Sequence, residues 1–85
     1  MSTILIADDH PLFREAMRRS VERAQPAATI AEAENVAELL ALIDAHPDAD
    51  LLLLDLTMPG AHGFSALAHI RATRPALPVI VVSAR

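Results

Sequence analysis

Apolar residues recur along this chain with two alternating rhythms. Thr3 to Ala7 is a short run rich in isoleucine that turns abruptly polar at Asp8, Asp9 and His10, as a buried strand ending in a loop would. Pro11 suits the first turn of a helix, where its missing N–H removes no hydrogen bond. Phe13, Met17, Ser20, Val21 and Ala24 then recur at helical spacing, and Pro26 closes the segment. Ala28 to Glu34 alternates weakly around Ile30 and carries Glu32 and Glu34, which predicts a strand at a sheet edge, where charge discourages stray pairing.

Asn35 followed by Glu38 reads as a helix capping pair. Val36, Leu39, Leu40 and Ile43 sit at i, i+3, i+4 and i+7, so the second helix has one apolar face, and it should end at His46 because Pro47 follows. Leu51 to Leu54 is apolar without alternation, the pattern of a strand covered on both faces, and it stops at Asp55. A loop with Pro59, Gly60 and Gly63 follows. Phe64, Leu67, Ala68, Ile70 and Arg71 suggest a third helix closed by Pro75, and Pro78 introduces Val79 to Val82, a β-branched fourth strand.

Strand and helix alternate throughout, which predicts an α/β fold: parallel strands in an open, doubly wound sheet, joined by right-handed helical crossovers. Composition sharpens this. Over 85 residues the chain is 53% hydrophobic with two aromatic residues, Phe13 and Phe64, so the core must be aliphatic. One continuous pattern without repeats or linkers gives a single domain over residues 1–85, at a size with barely enough interior to fold alone.

The net charge is −4 and every basic residue is arginine, with no lysine in the chain, which argues against nucleic-acid binding by this chain alone. With no cysteine there is neither a disulfide framework nor a thiolate metal site, and no apolar run is long enough for a membrane span or signal peptide. The reading is therefore cytoplasmic. Arg14, Arg18, Arg19 and Arg23 form a basic side on the first helix, read as a solvated face laced with Glu15 and Glu22. The four histidines are too scattered to suggest a zinc site, and His10 reads as a loop residue.

Chemistry gathers where parallel strands end. The first ends in Asp8 and Asp9, the third in Asp55 and the fourth in Ser83. An aspartate after a strand is usually a turn or cap residue. If the first and third strands are neighbours, however, three carboxylates converge. Such a group must raise a pKa, admit water or bind a cation. Magnesium is the economical answer, because it takes one or two carboxylates, carbonyl oxygens and waters and leaves a position for a phosphoryl oxygen. Asp55 could then attack phosphorus, and Ser83 could donate a hydrogen bond to the transferred group.

The run Ile4-Leu5-Ile6-Ala7-Asp8-Asp9-His10-Pro11-Leu12-Phe13-Arg14-Glu15 resembles the opening of response regulator receivers, above all the NarL/FixJ (LuxR-type) group. Asp50 to Gly60 resembles their phosphoacceptor strand and loop, and Val79-Ile80-Val81-Val82-Ser83-Ala84 is similar to their fourth strand and switch residue. The resemblance spans the whole chain. It implies a flavodoxin-like sheet of order 2-1-3-4, continued to a fifth strand in the family. It further implies that Asp55 is the phosphorylation site, that Asp8, Asp9, Asp55 and the Thr57 main-chain carbonyl hold magnesium, and that Ser83 reports phosphorylation. The implied donor is a phosphohistidine on a partner sensor histidine kinase.

Receivers also carry a fourth helix, a fifth strand bearing a lysine and a fifth helix, none of which is read in this chain, so weakened phosphoryl stabilisation is expected. Val79, Ile80, Val81 and Val82 would then form a bare sheet edge, predicted to pair in a symmetric homodimer, and part of the Phe13 and Met17 stripe would lie exposed. Two rival readings stand beside this one. One is a haloacid dehalogenase type phosphatase, disfavoured because Thr57 occupies the position of its second aspartate. The other is a receiver-shaped interaction module that carries no phosphate.

Overall fold

The computed structural model describes residues 2–58 and 64–82, the Phe64 side chain excepted. Strands β1 (Thr3–Ala7), β2 (Thr29–Ala33), β3 (Leu51–Leu54) and β4 (Val79–Val81) alternate with helices α1 (Pro11–Ala24), α2 (Val36–Ala45) and α3 (Phe64–Thr73). The four strands form one sheet of order β2-β1-β3-β4, and every adjacent pair is parallel. This is the open, doubly wound parallel sheet that the alternation of elements predicts, in the flavodoxin-like order that the resemblance implies.

Local chemistry accounts for the helix ends. Pro11 opens α1, and the chain leaves it at Gln25, directly before Pro26. Asn35 caps α2 by accepting a hydrogen bond from the Glu38 N–H at 2.8 Å, while the Glu38 carboxylate reaches back to the Glu34 N–H at 2.9 Å. His46 closes the same helix. The Arg74 guanidinium, just beyond α3, donates to the Ile43 and His46 carbonyls at 2.7 and 3.2 Å, so one cation satisfies the carbonyl end of α2 and ties the two helices together.

The larger buried cluster lies on one face of the sheet. Leu5 and Ala7 of β1, Ala33 of β2 and Leu52 and Leu54 of β3 pack against Leu39 and Ile43 of α2 and Ala66 and Ile70 of α3. On α2 the packed face is Val36, Leu39, Leu42 and Ile43; Leu40, expected in that stripe, is only half-buried. The opposite face carries α1. The expectation that β3 is covered on both faces needs correction: Leu52 and Leu54 are buried while Leu51 and Leu53 are only partly so. The reason is coverage, because α1 leaves a groove of about 340 Å³ between Phe13, Met17, Val21, Leu53 and Val82.

The expected exposure of the α1 stripe is present: no residue of α1 is fully buried, and Phe13 is 42% exposed. Among the described residues β4 forms one sheet edge, where Ile80 is 49% exposed. The ladder continues one residue beyond β4, through the Val82 N–H to the Leu54 carbonyl at 2.9 Å. The edge position expected for β2 is also present, and Glu32 on it is exposed. The basic side of α1 is only in part the solvated face expected. Arg18 pairs with Glu22 and Arg19 with Glu15, but Arg14 and Arg18 also reach across to Glu32. That Glu32 hydrogen bond raises the Arg18 pKa above its ordinary value. No helix among the described residues is long and apolar enough to cross a membrane.

Candidate functional site

Two aspartates are brought together by strand register. Ala7 of β1 lies opposite Leu54 of β3, so Asp8 and Asp55 are the next pair along neighbouring parallel strands. The ladder carries on into both residues: the Asp55 N–H donates to the Ala7 carbonyl and the Asp8 N–H to the Ala33 carbonyl, each at 3.0 Å. Adjacent strands are about 4.8 Å apart, and residues in register send their side chains to the same face. Both carboxyl-bearing residues have 0% exposure. Asp9 follows at the pocket mouth with its side chain 27% exposed.

Short local hydrogen bonds orient these groups. The Thr57 N–H and hydroxyl both donate to Asp55 Oδ1, at 2.9 and 2.7 Å, an Asx-type turn that restrains rotation of the carboxylate. The His10 N–H donates to Asp8 Oδ1 at 2.7 Å, and His10 Nδ1 lies 3.2 Å from Asp9 Oδ1. Ligand atoms of Asp8, Asp9, His10 and Asp55 all lie within 4.8 Å of one another.

Burying like charges at this range is unfavourable unless something offsets them. The donor set answers how: three carboxylates of hard oxygen donors, two of them buried, match the chemistry of a small hard divalent cation. The residues present therefore fit magnesium. One or two carboxylates with main-chain carbonyls and waters would complete its octahedron, and when bound it would offset the carboxylate repulsion and the charge on phosphoryl oxygens.

Asp8, Asp9 and Asp55 are thus brought together as the strand ends predict. His10, read from sequence as a loop residue only, joins them; its position directly after the acidic pair was the available signal. Thr57 lies beside the pocket, with its N–H and hydroxyl turned to Asp55. Met58, read as shaping the loop, is buried in the core at 2% exposure. Ser83 lies outside the described residues, as do Pro59, Gly60 and Gly63. Arg14 was missed: its guanidinium donates to the Asp8 main-chain carbonyl at 2.8 Å.

Comparison with known proteins agrees with this geometry. The chain is 46% identical over 84 residues to a glycerol metabolism activator of Pseudomonas putida, covering 99% of this chain and 38% of that protein. It therefore spans little more than a third of that relative's length. Among solved structures, the signal receiver domain of NarL from Mycobacterium tuberculosis superimposes with a TM-score of 0.83 at 35% identity, covering 99% of this chain and 67% of that one. RcsB from Salmonella enterica serovar Typhimurium, solved on a promoter in the presence of the phosphomimetic BeF3−, gives a TM-score of 0.84 at 30% identity, covering 99% of this chain and 42% of that one. Residues 4–85 match the response regulator receiver domain. With the sheet order, the acidic pocket and that match in agreement, the chain belongs to the response regulator receiver family.

Proposed function

We propose that Asp55 is the phosphoryl acceptor of this receiver, that Asp8, Asp9, Asp55 and the Thr57 main-chain carbonyl hold magnesium, and that the donor is a phosphohistidine of a partner sensor histidine kinase. The observation that carries the reading is the buried Asp55 carboxylate beside Asp8, with donor atoms within 4.8 Å. An Asp55 carboxylate oxygen bonds to phosphorus as the phosphorus–nitrogen bond of the donor breaks. The electron pair leaves on the imidazole, and an acyl phosphate forms. Thr57 holds Oδ1 through two hydrogen bonds, which fixes the plane of the nucleophile before the donor arrives. Ser83 donates a hydrogen bond to the transferred group.

Residues 1–85 act as one unit in this reading, and a kinase donor of this kind places the reaction in the cytoplasm. The β4 edge, with Ile80 and Val81 both exposed, supports pairing of two copies through that strand. The test is incubation with magnesium and acetyl phosphate, followed by intact mass. The parent is expected to gain one phosphoryl group and Asp55→Asn none. A folded parent that gains nothing, or an adduct that persists in Asp55→Asn, overturns the reading and favours an interaction module that carries no phosphate.

A further inference from the structure

The turn between β1 and α1 carries Asp8, Asp9 and His10, three of the four side-chain donors that cluster among the described residues. Two of the bonds that hold Asp8 in place come from the sheet and the turn: its N–H donates to the Ala33 carbonyl of β2, and its Oδ1 accepts the His10 N–H. A third comes from the body of α1. Arg14 Nη1 donates to the Asp8 carbonyl at 2.8 Å, while Nε of the same guanidinium donates to Glu32 Oε1 on β2, also at 2.8 Å. Glu34 Oε2 stands 4.0 Å away.

This side chain is only 19% exposed, on a helix none of whose residues is fully buried. The planar fork of a guanidinium can donate in two directions at once, which a lysine ammonium at the end of a flexible stem does with far less geometric control. Its charge is already engaged by Glu32 and Glu34, so it does not act by simply cancelling the charge of the pocket.

Resting on the magnesium reading above, we propose that Arg14 is a positioning residue for the acidic pocket, clamping the Asp8 to His10 turn against the β2 edge so that Asp8 and Asp9 stand in place for the cation. Released from the clamp, the turn relieves carboxylate repulsion by moving its charges apart, and cation binding must first bring them back. Groups that orient metal ligands without touching the metal typically change affinity by about 10-fold or more.

The experiment compares the parent with Arg14→Met, Arg14→Lys and Arg18→Met. Arg18 shares Glu32 as a partner and pairs with Glu22, so its variant controls for loss of a surface ion pair. Magnesium affinity is measured by calorimetry, stability by urea unfolding in EDTA, and phosphorylation by acetyl phosphate at increasing magnesium. Arg14→Met is expected to raise the magnesium dissociation constant about 10-fold. It also needs more magnesium for half-maximal phosphorylation while reaching the parent's rate at saturation. Arg14→Lys falls between the two, and Arg18→Met matches the parent.

A lowered urea midpoint with an unchanged magnesium constant gives Arg14 a merely structural role and overturns the proposal. If Arg14→Met does not fold, Arg14→Lys and Glu32→Gln carry the test, and parental affinity in both overturns it. A parent that binds no magnesium overturns the cation reading itself and this role with it, which is distinct from a variant that behaves like its parent.

Discussion

The two faces of the sheet are built from the same kind of residue and end up in different states. Towards α2 and α3, Leu5, Leu52, Leu54, Leu39 and Ile70 retain no exposure. Towards α1, Ile4 and Ile6 are buried, yet Leu53 is only half-covered, Phe13 is open to solvent, and a groove separates helix from sheet. Leu52 and Leu53 are adjacent and chemically identical. Their different burial therefore reflects how many helices cover each face, not the strand's hydrophobicity.

The sharpest way to break this comparison is to truncate those neighbours one at a time. Leu52→Ala is expected to cost about 2–5 kcal/mol in urea unfolding, the range for cavities in a packed core. Leu53→Ala should cost about 1–2 kcal/mol, since it gives up only part of a buried side chain. Equal losses would mean that both faces are packed alike in solution.

A smaller effect separates the pocket from the core on which it stands. In EDTA, Asp55→Asn is expected to raise stability by about 1 kcal/mol, because it removes a buried charge facing Asp8 while keeping an acceptor for Thr57. Magnesium should stabilise the parent and close that gap, since a ligand of the folded state adds to its stability. A parent that remains more stable than Asp55→Asn in EDTA would refute strain between the carboxylates.

The smallest effect concerns the β4 edge. Ile80→Lys is expected to change monomer stability by no more than about 0.5 kcal/mol, the usual range for an exposed site. In sedimentation velocity at rising concentration it should abolish self-association. A parent that stays monomeric throughout refutes pairing through this edge.

Much of the fold was legible because its signals are local. Pro11 and Pro26 bracket α1, and Asn35 with Glu38 sets the start of α2. The abrupt ends of the first and third apolar runs marked Asp8, Asp9 and Asp55. Their convergence rested on one non-local condition, that β1 and β3 are neighbours, and the sheet order meets it.

Other features were hidden for the same physical reason. An arginine in a helical pattern looks the same whether it faces solvent or another element, so Arg14 was grouped with a solvated face, although it joins Glu32 to the Asp8 carbonyl. A run of four leucines carries no mark of which side a helix will leave bare. His10 became part of the pocket only when the turn folded it beside Asp9.

The sequence by itself determined the order and type of elements and the residues able to do chemistry, because periodicity, caps and strand ends act over a few neighbouring positions. Tertiary structure alone decided which face is sealed, which arginine turns inward and how closely the carboxylates approach. Those outcomes depend on contacts between segments far apart in the chain, where strand register and helix placement, not local preference, set the distances.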